Sequence, residues 1–142
     1  MNPKPKVLVI CTGNSMRSQL AEGMLRKELG QQIDVYSAGT RPGTIYPLVI
    51  KVLREAGVDA SKQYSKSVNE FRDVHMDLVI TVCDDADEEC PYFPNALKRI
   101  HHGYPDPFDL GTAEDEHQVF SDLRDRIRAE LVPLVRRELA LR

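Results

Sequence analysis

Eight consecutive residues, Cys11, Thr12, Gly13, Asn14, Ser15, Met16, Arg17 and Ser18, put a nucleophile, a cation and small turn-forming residues within the length of one loop. The thiolate is the reactive form of cysteine, and a positive local field favours it. A loop of small residues that feeds a helix N-terminus directs backbone N–H groups and the positive end of the helix dipole at one point, which is where an anion belongs. Arg17 adds a planar fork able to hold two oxygens of a tetrahedral anion. Ser18 is placed to donate a hydrogen bond to Cys11. Gly13 and Asn14 are residue types that tolerate the positive φ needed to wrap a loop around one small ion. The expected chemistry is attack by Cys11 on a tetrahedral oxyanion bound by residues 12–17. A bare C-x5-R is weak evidence, so the case rests on the Ser that follows and on the elements at either end.

Those elements have the required form. Residues 6–10 (KVLVI) are a continuous β-rich apolar run, as in a strand covered on both faces. From Ser18 onward Leu20, Ala21, Met24, Leu25 and Leu29 recur at helical spacing, with Gly30 as a stop. Strand, loop and helix follow one another directly. Residues 33–38 alternate like a second strand, 39–43 read as a loop, and 46–56 as a helix ended by Gly57. A short helical piece is expected near Phe71, a third strand over 77–82 and a weaker fourth over 98–101. Residues 114–141 place Val119, Leu123, Ile127, Leu131 and Leu134 or Val135 on a helical stripe that Pro133 is expected to kink or interrupt. Alternating strands and helices predict an α/β fold: a four-stranded parallel sheet with helices on both faces. Ligands bind beyond the carboxyl ends of such strands, where Cys11, Cys83 and the loop after His101 should gather.

Composition bounds the reading. With 142 residues, 42% hydrophobic and 29% charged, the chain predicts a single domain over 1–142. A net charge of -3 offers no global basic field, so no nucleic-acid or membrane partner is expected and any anion site must be local. The apolar run at 7–10 is too short for a signal-peptide core or a membrane span. A cytoplasmic monomer is expected. Three cysteines, an odd number, argue against a structural disulfide framework. Cys83 and Cys90 with His101 and His102 lack the paired spacing of a zinc site, and neither metal nor cofactor is expected. In Tyr104-Pro105-Asp106-Pro107 the prolines hold Asp106 in an extended turn; read alone, that segment is better taken as an ordinary surface turn.

The run VLVICTGNSMRSQLAE, followed by Ser37-Ala38-Gly39-Thr40, resembles the low-molecular-weight tyrosine phosphatase superfamily, and within it the thioredoxin-coupled arsenate reductases. The resemblance spans nearly the whole chain. It implies Cys11 as nucleophile, Arg17 as oxyanion clamp and Asp106 as the general acid that protonates the leaving oxygen. Cys83 and Cys90, seven residues apart after the third strand, match the reductase pattern. Phosphatases of this fold usually carry a second cysteine just before the loop Arg, where this chain has Met16. The implied reaction is attack of Cys11 on arsenic with loss of water, then attack of Cys83 on the Cys11 sulfur with departure of arsenite. Cys90 next takes over the disulfide, and thioredoxin reduces it. Phosphate or sulfate would bind as analogues of arsenate. The alternative is a phosphatase that hydrolyses monoesters through a Cys11 phosphoenzyme. Some reductases of this kind bind potassium beside the loop through Asn, Glu, Ser and Asp. Asn14, Glu22 and Ser37 match, but Lys66 stands where the Asp would be, and its ammonium is expected to replace the cation.

Overall fold

The computed structural model describes residues 3–84, 92–110 and 115–142. Its central strand, β1 (Lys6–Cys11), is hydrogen-bonded on both edges, and Val7, Leu8, Val9 and Ile10 are fully buried. That double burial explains an unbroken apolar run where a half-exposed strand would alternate. The remaining strands are β2 (Asp34–Gly39), β3 (Met76–Thr81) and β4 (Ala96–His101), in the order β2-β1-β3-β4 and all parallel. β4 lies at an edge with most of its residues exposed, which accounts for its weaker apolar signal. The register pairs Cys11 with Gly39, Ile10 with Thr81, and Thr81 with His101. The strands therefore end together, and the loops that leave them share one edge.

Helical cover is unequal on the two faces. The helices α1 (Arg17–Leu29), α2 (Pro47–Glu55) and α3 (Glu116–Glu138) bury Leu20, Met24, Leu25, Val49, Val52, Leu53, Phe120 and Ile127 in one core with Val7, Val9, Leu78 and Ile80. The opposite core holds Leu8, Ile10, Met76, Val79 and Phe93. A short 3₁₀ helix at Val68–Phe71 and Val74 pack against it. α2 starts with Pro47 at its first turn, where the missing N–H costs nothing, and is followed by Gly57 at φ 82°, a left-handed conformation suited to glycine.

Boundaries fall within three residues of expectation, with one exception of substance. α3 is not interrupted at Pro133 but continues to Glu138. Pro133 is exposed, while Leu131, Leu134 and Val135 beside it are buried. Their burial offsets a cost of about 3 kcal/mol for a proline inside a helix. Among the described residues no helix is long and apolar enough to cross a membrane.

Candidate active site

The loop between β1 and α1 is held from outside by its carbonyls. Thr12 O accepts from the Arg41 N–H at 2.9 Å, Gly13 O from the Ser65 hydroxyl at 3.0 Å, Asn14 O from Gln19 Nε2 at 3.0 Å, and Ser15 O from the Tyr46 N–H at 3.1 Å. In a trans peptide the N–H points opposite to the carbonyl. Four successive carbonyls directed outward therefore turn the following N–H groups inward, and the N–H of Asn14 does reach Cys11 Sγ, at 3.2 Å. Asn14 takes the left-handed φ of 48°, as expected, whereas Gly13 has no positive φ. One such residue suffices because the carbonyl partners supply the rest of the curvature. Gly39, at the end of β2, lets the loop approach: a Cβ there would stand 2.4 Å from Thr12 O and 2.9 Å from Asn14 N.

Cys11 is buried at the end of β1, and its sulfur lies 2.8 Å from Ser18 Oγ. The polarity of that contact follows from its neighbours. Asn14 Oδ1 accepts from the backbone N–H of Lys66 at 2.7 Å, which can only donate, so the amide orientation is fixed. Asn14 Nδ2 then donates to Ser18 Oγ at 2.8 Å and to Ser37 Oγ at 2.9 Å. Ser18, having accepted from Asn14, keeps its own hydrogen available for the Cys11 sulfur, which also accepts from the Asn14 N–H. Ser37 in turn donates to Glu22 Oε1 at 2.7 Å. Glu22 is paired with Lys66 at 3.5 Å and Arg26 at 3.1 Å, and the Glu22 and Lys66 side chains are each only 7% exposed. Lys66 Nζ also donates to the Tyr64 carbonyl at 2.7 Å. The Lys66 ammonium thus stands beside Glu22, which accepts from Ser37, while Lys66 meets Asn14 through its backbone N–H.

α1 begins at Arg17 without a side-chain cap from Met16, directly after the loop. The buried Arg17 guanidinium donates from Nη1 to the Tyr104 carbonyl at 2.9 Å, tying the loop to the segment that leads to Asp106. Asp106 is half-buried and caps the 3₁₀ helix Pro107–Asp109 by accepting from the Phe108 N–H at 2.9 Å. Cys83 is buried two residues beyond β3, its sulfur 3.8 Å from the carbonyl of Ile10, the residue before Cys11. Cys11, the loop residues Thr12 to Ser18, Cys83 and the Tyr104–Asp106 segment thus meet at the carboxyl edge of the sheet. Cys90 lies outside the described residues.

Several contributors are invisible in the motif. Arg41, Ser65, Gln19 and Tyr46 hold the loop carbonyls, yet all but Gln19 are far away in sequence. Tyr46 also packs edge-on to Phe108, with ring centres 5.3 Å apart, which closes one side of the edge near Asp106. Tyr104 is buried, and its hydroxyl donates to Glu130 Oε1 at 2.9 Å. Burial first, then the Glu130 carboxylate, pushes the phenol well above its ordinary range, so it stays a donor. The hydrogen bond from His102 is the main cause holding the Glu130 carboxyl below its ordinary value.

Comparison with known proteins accords with this arrangement. An arsenate reductase of Bacillus licheniformis is 43% identical over 125 residues, 87% of this chain and 90% of that protein. A solved structure described as an arsenate reductase in the phosphate binding state superposes with a TM-score of 0.78 at 28% identity, covering 94% of this chain and 98% of the other. A thioredoxin-dependent arsenate reductase of Corynebacterium glutamicum superposes with a TM-score of 0.67 at 29% identity, over 94% of this chain and 64% of that one. Residues 6–140 match the family described as low molecular weight phosphotyrosine protein phosphatase, and the chain belongs to that family.

Proposed function

We propose that the protein reduces arsenate to arsenite. The observation that carries this reading is Cys83, a second buried thiol whose sulfur faces the carbonyl of the residue preceding Cys11. Hydrolysis of a phosphate ester needs one cysteine and transfers no electrons, so it leaves Cys83 without a task. Reduction of arsenic needs two electrons, which two thiols supply on forming a disulfide. The 43% identical arsenate reductase supports the same choice.

The loop holds arsenate by its inward N–H groups and the Arg17 fork, and the Cys11 thiolate attacks arsenic. Asp106 gives its proton to the departing oxygen, which leaves as water. Cys83 then attacks the Cys11 sulfur. The sulfur–arsenic bond breaks with its electron pair on arsenic, arsenite departs, and a Cys11–Cys83 disulfide remains. Cys90 attacks Cys83, releases the Cys11 thiolate and leaves a Cys83–Cys90 disulfide for thioredoxin to reduce. Thr12, Gly13, Asn14, Ser15 and Met16 form the cradle, and Ser18 keeps Cys11 ready. The protein acts as a single-domain cytoplasmic monomer without metal or cofactor. The deciding experiment follows arsenate-dependent NADPH oxidation with thioredoxin and thioredoxin reductase, beside p-nitrophenyl phosphate hydrolysis. Sustained oxidation is expected; robust hydrolysis with no oxidation would hand the chain to the phosphatase alternative.

A further inference from the structure

Arg17 leans on a residue that is itself anchored in a distant helix. The Tyr104 carbonyl accepts from Arg17 Nη1 at 2.9 Å, while the Tyr104 hydroxyl donates to Glu130 Oε1 at 2.9 Å. Glu130 lies in the middle of α3 and gathers two further donors: His102 Nε2 at 2.9 Å on Oε1, and Arg126 Nε at 3.3 Å on Oε2. The Tyr104 ring is held between these, with the His102 ring centre 5.2 Å away and the Arg126 guanidinium 5.1 Å away. On the backbone side the Tyr104 N–H donates to Val82 O at 3.1 Å. Tyr104 is thereby pinned at three points, and only the hydroxyl pin comes from outside the sheet edge. Without it, a buried phenol would lack a partner and the residue would have reason to rotate or shift, taking the carbonyl with it.

We infer that Glu130 is a positioning residue for the oxyanion clamp: acting through Tyr104, it sets where the Arg17 guanidinium stands. The inference rests on the reading of residues 11–18 as an oxyanion site, but not on arsenate reduction or on the thiol relay. A planar fork must align with two oxygens at once, so a small displacement of its support weakens oxyanion binding. Glu130, His102 and Arg126 are all partly exposed and their ion pairs add little to stability, so the main work of the network is to hold the buried Tyr104 hydroxyl.

The test measures the inorganic phosphate concentration that half-protects Cys11 from iodoacetamide, read by mass spectrometry of the Cys11 peptide, in the full chain below its unfolding temperature. Phosphate should protect the native protein; absence of protection there would sink the oxyanion-site reading itself. Tyr104→Phe and Glu130→Leu should each raise the half-protecting concentration about fivefold, the scale of one hydrogen bond. Their combination should be no worse than either alone, because both remove the same link. Glu130→Gln retains an acceptor oxygen for Tyr104 and should stay within about twofold of the native protein. His117→Ala, at an exposed pair with Glu55 on the far part of α3, should leave protection unchanged. Protection unaltered in Tyr104→Phe and Glu130→Leu, or effects that multiply in the double variant, would overturn the inference. Tyr104→Phe removes a single oxygen, so it decides the question even if Glu130→Leu does not fold.

Discussion

The two flanks of the oxyanion loop are built differently. On the β2 side, Cys11, Ser18, Asn14, Ser37, Glu22 and Lys66 form one continuous buried path of hydrogen bonds, with the donor directions from Asn14 through Ser37 to Glu22 fixed by one another. On the β3 and β4 side, Cys83 touches Ile10 O at 3.8 Å and Asp106 is half-buried with a local cap. The flank that must present one sulfur in one state is over-determined. The flank proposed to move protons and exchange disulfides carries groups that must change partners during a cycle, and there the Asp106 carboxylate is engaged by a local cap to the Phe108 N–H.

The largest effect that would test this division belongs to the nucleophile. Cys11→Ser should reduce arsenate reduction and any aryl phosphate hydrolysis to background, because a hydroxyl has no comparable anionic form near neutral pH and the two donors aimed at the sulfur do not change that. Measurable turnover of either kind in steady-state assays would remove Cys11 from its role.

The relay thiols should separate by stage. Cys90→Ser should release at most about one arsenite per enzyme and accumulate a Cys11–Cys83 disulfide, whereas Cys83→Ser should stop before that disulfide forms. Quenched-flow arsenite determination with mass spectrometry of the trapped disulfides distinguishes the two. Continued thioredoxin-driven turnover by Cys90→Ser would end the three-thiol scheme.

Asp106→Asn comes next, with an expected loss of about 10²-fold or more in the first step, since an amide cannot supply the proton as an acid. Both relay thiols should still react with a disulfide reagent at native rates. An unchanged rate of arsenate consumption across neutral pH would point to another acid.

How much of this was readable in advance depended on the distance between partners. The loop and its flanking strand and helix were legible because residues 6–29 are contiguous and the double burial of β1 writes itself as an apolar run. β4 was faint because it is an exposed edge strand. The supports were hidden: Tyr104 meets Glu130 across 26 residues and Arg17 across 87, and neither glutamate nor tyrosine stands out by type. Pro133 does not interrupt its helix; a local rule about proline ignores the buried Leu131, Leu134 and Val135 around it. Gly13 was credited with a conformation that only Asn14 adopts, since a motif does not say which residue takes the turn.

The smallest expected effect is an absence, and it probes the rigid flank. Lys66 stands 3.5 Å from Glu22 Oε1 and donates to the Tyr64 carbonyl, so a positive charge already neutralises the carboxylate that accepts from Ser37. Where an ammonium serves this purpose, an added monovalent cation has nothing left to stabilise. Exchanging potassium for a bulky organic cation at constant ionic strength should therefore leave turnover within about 1.5-fold, the constancy being needed so that screening does not masquerade as binding. Lys66→Met should cost about 3 kcal/mol of stability in denaturant titrations, the lower end for a broken buried pair because Arg26 remains at 3.1 Å from Glu22. Strong activation of the native protein by potassium would show that the ammonium does not fill the cation's place, and the charge that organises the path to Cys11 would have to be sought elsewhere.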